Sequence, residues 1–487
     1  MSPESFLRLG ALKEVPQFRE YLRSCQLTIP CDTEILTGSE SPLRTPLQRG
    51  ALKIGNRIAV QPMEGWDGTS DGNPTDSTLR RWRHFGRSGG KLIWGGESVA
   101  VTEEGRSNPN QLMIAAHTEK GLATLRAALI EEHRLTTGSD EGLLIGLQLT
   151  HPGRFCRPHR HDRAEPRIAY HHPILDKRVG LSDESPLLSD EDIDSIIEKF
   201  CAAGTRAQKL GFDFVDIKHC HGYLGHELLG AKTRAGRYGG SFENRTRFLR
   251  NIVAGIRASA PGLEIGVRIS AFDMIPFRAD PVPSADRKGG VGVPENFQDM
   301  LPFRYGFGVN SSNPVEIDLT EAFELLSLLE RLGISLVNVS GGSPYYNPHI
   351  QRPALYPPSD GYAPPEDPLA GVARQMEVTR CLKQRFPSLI FVGSAYSYLQ
   401  EFLPNVAQAA VRVGWVDSVG LGRMVLTYPE LLWDATEGRL IDRRRICRTF
   451  SDCTSAPRNG LPSGCYPLDS YYKESEAAAL LKKAKKK

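Results

Sequence analysis

Eight short apolar, β-rich runs, separated by stretches of helical periodicity, constrain this chain more than any other feature. They are Arg57–Gln61, Leu92–Trp94, Leu144–Leu149, Phe214–Ile217, Ile265–Ile269, Ser335–Val339, Leu389–Val392 and Ser418–Leu421. Between them, segments such as Asp190–Leu210 set Ile193, Ile196, Ile197 and Phe200 at helical spacing, and Ser189 with Asp192 spells a capping box. Strands alternating with helices imply a parallel sheet. Eight such units imply a closed (β/α)8 barrel, an α/β fold, in place of an open doubly wound sheet.

The 487 residues suffice for such a barrel plus extensions. The expected layout is an N-terminal extension over 1–41, a barrel over 42–440 and a C-terminal tail over 441–487, outside the barrel. Two insertions, about 155–189 and 273–314, follow strands and therefore belong at the barrel mouth, as lids, specificity loops or plain surface. A net charge of +3, dispersed along the chain, argues against a nucleic-acid face. No apolar stretch has bilayer length, and the first residues lack the continuous hydrophobic region of a secretory signal. Nine scattered cysteines then suit a reducing, cytoplasmic setting. The closing run Lys482, Lys483, Lys485, Lys486 and Lys487 reads as a solvated, frayed end.

Chemistry concentrates where the strands end. After Phe214–Ile217 come Lys218, His219, Cys220 and His221, then Gly222 and Tyr223. A polar turn explains one such group; four in a row point to a catalytic edge. Alternation turns Lys218 and Cys220 to one side and His219 to the other, where a structural role is expected. Other strands end in Gln61-Pro62-Met63-Glu64, Glu97-Ser98 and Gln148, and Arg268 lies inside an apolar run and needs an anionic partner. Gly393-Ser394 and Gly422-Arg423 follow the seventh and eighth strands, each opening toward a helix in the manner of a phosphate cradle. An amide, a cation and a phosphate cradle around one mouth suit a planar heteroaromatic phosphate such as FMN.

On the strings SPLRTPL, LKIGNRIAVQPM, QLTHPGR, HGYL, YGGSFENRTRF and DSVGLGRMVLTYP, the chain resembles the Old Yellow Enzyme family of FMN-dependent oxidoreductases over about 42–440. The resemblance implies FMN held by Pro62, Met63, Ser98, Gln148 and Arg268, with Gly393, Ser394, Gly422 and Arg423 at its phosphate. It also implies Tyr223 as proton donor, with Lys218 and His221 polarising the substrate oxygen. Lys218 departs from the family's usual histidine. A compact ammonium there suits an anionic substrate or a base in the oxidative direction.

Cys447, Cys453 and Cys465 match three of the four positions of the iron–sulfur motif in the larger relatives, the 2,4-dienoyl-CoA reductase and trimethylamine dehydrogenase branch. Phe450 stands at the second. Phenylalanine cannot ligate iron, so the tail reads as a relic without its cluster; a three-cysteine site, or one completed by Asp452, is the alternative.

The resemblance implies an NAD(P)H:acceptor oxidoreductase of ene-reductase type acting on a small-molecule substrate, an activated alkene or a similar electron-poor compound. The alternatives are an FMN-dependent dehydrogenase of an amine or of a C–H bond next to a carbonyl, and a non-catalytic flavin-binding protein. A second copy of the chain stays open as a partner.

Overall fold

In the computed structural model, which describes residues 6–281 and 290–485, all eight runs become strands. In chain order the strands are β1 (Leu47–Arg49), β2 (Leu52–Ile54), β3 (Ile58–Val60), β4 (Leu92–Ile93), β5 (Ser98–Ala100), β6 (Leu144–Thr150) and β7 (Phe214–Ile217). They continue as β8 (Glu264–Phe272), β9 (Phe277–Ala279), β10 (Gly292–Pro294), β11 (Leu336–Gly341), β12 (Ile390–Gly393) and β13 (Ser418–Leu421). Around the barrel the order is β3, β4, β6, β7, β8, β11, β12, β13 and back to β3, every pairing parallel. The (β/α)8 expectation holds.

The second strand position is split. β4 and β5 both pair with β6, and the chain between them turns at Gly95 and Gly96, whose φ angles are +92° and +47°. A Cβ on Gly95 would meet the Gln148 amide nitrogen at 2.8 Å, so that approach needs glycine.

Buried on all sides, the strands stack their inward side chains in layers. The lower layer is apolar: Ala59, Leu92, Trp94, Phe214, Leu336, Ile390 and Val392 pack with Leu47 and Ile54 of the β1–β2 hairpin. The upper layer is polar, because register sets Ser98 beside Gln148, Gln148 beside Asp216, and Arg268 beside Asn338. Among the surrounding helices, Asp190–Lys209 starts at the expected capping box, Ser189 Oγ accepting from the Asp192 amide at 3.0 Å. No helix among the described residues is long and apolar enough to cross a membrane.

The first insertion is pinned by a buried cation: Arg154 pairs with Asp176 and, at 2.9 Å, with Glu227. The second forms the antiparallel β9–β10 hairpin over a small core of Ile275, Phe277, Phe303, Val309 and Tyr362; its residues 282–289 lie outside the described residues.

The C-terminal segment departs from expectation. It forms helices Asp452–Arg458, Ser470–Lys473 and Glu476–Ala484 around Ala456, Tyr466, Tyr472, Ala478 and Leu481. Arg80 clasps it to the barrel through both oxygens of Asp469, at 2.8 and 3.0 Å. Lys482 and Lys483 therefore sit on a helix, and Lys485 pairs with Asp452 at 2.6 Å. The basic run overshadowed the apolar positions Ala478 and Leu481, which give that helix a face to bury. Lys486 and Lys487 lie outside the described residues.

Candidate active site

Over the C-terminal ends of the strands lies one cavity, lined by Pro62, Met63, Ser98, Gln148, Lys218, His221, Tyr223, Arg268, Ser394, Gly422 and Arg423. These are eleven of the twelve residues singled out above for catalysis or cofactor binding. Gly393 stands just behind the wall, where its carbonyl accepts from Gln61 Nε2 at 3.0 Å.

The polar layer forms the floor. Ser98 Oγ donates to Gln148 Oε1, Gln148 donates on to Asp216, and the Arg268 amide donates to the other Asp216 oxygen at 2.7 Å. Burial pushes the Asp216 carboxyl up against these bonds. Asn338 donates to Gln61 Oε1 at 2.7 Å, and Gln61 donates to Ser394 Oγ at 3.1 Å. Gln61 lies so close to Gly420 that a Cβ there would meet its Nε2 at 2.0 Å. Above this floor the Arg268 guanidinium makes one long contact, Nη2 to Ser394 Oγ at 3.5 Å, and its buried Nε has no partner.

The edge that follows β7 forms one wall. His221 has a left-handed φ of +65° and Gly222 one of +79°, a sharp turn that delivers Tyr223 to the cavity. Tyr223 donates to Glu64 Oε2 at 2.8 Å and shares a 2.9 Å hydrogen bond with Tyr345. Lys218 Nζ donates to the other Glu64 oxygen at 2.6 Å and lies 3.6 Å from the centroid of the Tyr223 ring. Burial pushes the Glu64 carboxyl up, but the Lys218 charge and hydrogen bonds from Lys218, Tyr223 and Ser107 outweigh it and hold Glu64 below the usual range. Burial, the Glu64 charge and Tyr345 raise Tyr223 well above an ordinary phenol. Burial, then the charges of Arg268 and Lys218, push His221 well below an ordinary imidazole, so it is neutral at pH 7; its Nε2 meets Ser340 Oγ at 3.0 Å.

His219 faces away, its Nδ1 on the Ile217 carbonyl at 3.0 Å and its ring against Phe248. Of the first insertion, Phe155 reaches the cavity wall indirectly, stacking at 4.2 Å on Tyr345, which lines the cavity.

Sequence reading missed several members. Glu64 was visible as a carboxylate at a strand end, but its partners lie 154 and 159 residues away. It is held by its neighbours: the Gly65 amide donates to Glu97, and Glu97 and Asp67 clamp Arg81 at 2.8 and 2.7 Å. Cys453, Thr454, Pro457, Arg458 and Ser463 of the C-terminal segment also line the cavity, so this segment is part of the barrel mouth and does not stand apart from it. Cys447, Cys453 and Cys465 border a smaller adjoining cavity with Phe450. Among the described residues no group of three or more His, Cys, Asp or Glu side chains is arranged to hold a metal ion.

A family model described as NADH:flavin oxidoreductase / NADH oxidase family matches residues 42–283. An NADPH dehydrogenase of a Geobacillus species is 32% identical over 268 residues, covering 52% of this chain and 71% of that protein. A putative 12-oxophytodienoate reductase 4 of japonica rice is 28% identical over 246 residues, covering 50% of this chain and 62% of the relative, so the match spans under two thirds of that protein. Among solved structures, a 2-naphthoyl-CoA reductase superposes with a TM-score of 0.64 at 17% identity, covering 89% of this chain and 57% of the other. That likeness bears on the fold.

Proposed function

The chain belongs to the NADH:flavin oxidoreductase / NADH oxidase family, and from that premise we propose that it is an FMN-dependent NAD(P)H:acceptor oxidoreductase that reduces an activated alkene. The observation that carries this reading is the meeting of two residue sets in one cavity: Tyr223 with Lys218 and His221 on the wall, and the flavin-type set Ser98, Gln148, Arg268, Ser394, Gly422 and Arg423 around it.

The residues fit the cofactor. Arg268 Nε and Arg423 Nη1 are buried donors without partners, and a Cβ on Gly422 would find its nearest neighbour only at 4.0 Å, leaving the backbone open to an anion. Gln148, Arg268 and Ser98 would face the ring system, and Ser394, Gly422 and Arg423 the phosphate. When bound, FMN supplies hydride exchange between a nicotinamide donor and the electron-poor carbon of the substrate.

The protein's own part is proton management. Tyr223 holds the proton that the substrate carbon receives, and Tyr345, in contact with it, can resupply the phenol. Lys218, over the Tyr223 ring, stabilises negative charge as the phenol proton leaves. His221 acts as a neutral hydrogen-bonding group. The Lys218 charge is compensated by Glu64, which weakens the case for an anionic substrate at this point.

Anaerobic mixing with NADH or NADPH should bleach the flavin, and cyclohexenone should then restore its colour; absence of both half-reactions would sink the proposal. One observation favours the opposite direction as a second reading. The Tyr223 hydroxyl points at an ionised carboxylate, an arrangement that also accepts a proton from a substrate being oxidised. On that reading substrate alone bleaches the flavin, without nicotinamide.

A further inference from the structure

We propose that Arg352 and Arg423 form a two-guanidinium clamp for a phosphate monoester dianion, closed by the C-terminal segment; the inference rests on the flavin reading above. Arg423 is 8% exposed and directs Nη2 to the Pro353 carbonyl at 2.9 Å, which leaves Nη1 buried without a partner. Arg352, the residue before Pro353, donates Nη1 to Thr454 Oγ1 of the helix Asp452–Arg458, and its Nε and Nη2 are likewise buried and unpartnered. Both side chains line the main cavity beside Ser394, Ser397 and Gly422.

The charge balance calls for a dianion. Among the described residues neither arginine pairs with a carboxylate, whereas the nearby Arg458 has Asp360 and the Pro344 carbonyl. Two buried like charges without a counterion are costly, and burial together with the Arg423 charge lowers Arg352 to about 9. A phosphate monoester carries two charges and enough acceptor oxygens to meet the three free nitrogens in charge-assisted bonds. A single carboxylate would leave one guanidinium uncompensated. Thr454 fixes the orientation of Arg352, so the segment that carries the three cysteines serves the site through a hydroxyl.

Such a phosphate has two sources, the flavin itself and a phosphate-bearing substrate or nicotinamide dinucleotide. Apoprotein of the wild type, Arg352→Met and Thr454→Val is titrated with FMN and with riboflavin by quenching of flavin fluorescence, and Arg352→Lys replaces the methionine variant if that one fails to fold. With the flavin phosphate in the clamp, the wild type prefers FMN over riboflavin by about 100-fold or more. Arg352→Met then cuts that preference by about tenfold or more with riboflavin affinity unchanged, and Thr454→Val cuts it less. With a substrate phosphate in the clamp, the preference survives, and inorganic phosphate perturbs the visible spectrum of the wild-type holoprotein but not of Arg352→Met. Loss of neither response in Arg352→Met overturns the clamp. A wild-type apoprotein that binds neither FMN nor riboflavin overturns the flavin reading instead.

Discussion

Glu64 concentrates the physics of the site in one side chain. It is ionised, buried, and shared between Lys218 and Tyr223. Glu64→Gln should cost stability on the order of 3–5 kcal/mol, because it strands a buried ammonium, while adding Lys218→Met should recover most of that loss. Urea unfolding of the two variants checks this, and equal losses would refute the pairing. The pH sign follows. The folded-state pKa of Glu64 lies below its ordinary value of 4.5, so its stabilisation is complete above that pH and is lost as pH falls through the depressed value. The same variant should lower the pH at which Tyr223 ionises, since the Glu64 charge helps to raise it; ultraviolet difference titration of tyrosinate reads this directly. That Tyr223, Lys218 and His221 share one cavity wall was legible in sequence because one strand end delivers them together. The contacts of Glu64 and Tyr345 with them were not, since those contacts cross the barrel.

Elements were legible to the extent that each carries its own period. The eight barrel strands and the helix Asp190–Lys209 announce themselves by alternation, spacing and a cap. The split of the second strand position into β4 and β5 does not, because it depends on how Gly95 and Gly96 pass Gln148. The C-terminal helices read only as a tail with a charged end, because they are short and find their core in one another. Their clasp is Arg80, which bonds Asp469 and lies 4.7 Å from the Tyr471 ring centroid. A partly exposed pair of this kind contributes about 1 kcal/mol, so Arg80→Met should free the segment locally without unfolding the barrel. Limited proteolysis should then cut between Asn459 and Ser470 about fivefold faster, the equivalent of that energy. An unchanged cleavage rate would show that the apolar contacts of Tyr466 and Tyr472 hold the segment without the arginine.

At the scale of the whole molecule, burial of histidine sets the acid limit of the fold. His84, His133, His151, His172, His219, His221 and His226 are all buried, and burial lowers each from an ordinary value of 6.5, to about 4 for His84, His133 and His219 and to about 3 for His151 and His226. A histidine held neutral in the folded state takes up its proton only on unfolding once pH drops below about 6.5, so each favours the unfolded chain on the acid side. Buried carboxyls oppose this. Burial raises Glu97 to about 7 and Asp273 to about 6, so the folded state binds those protons first, and Asp216 and Glu227 shift in the same direction. Near pH 5.5 the seven lowered histidines outnumber the four raised carboxyls, so unfolding takes up protons on balance, and each net proton contributes a slope of about 1.4 kcal/mol per pH unit. Typical domains have about 5–15 kcal/mol in hand, so a slope of this sign draws on a small reserve. Urea midpoints should therefore fall as pH drops from 7 to 5. A midpoint that stays level or rises over that interval would mean that these imidazoles are already protonated in the folded protein, and with them His221 beside the proposed flavin.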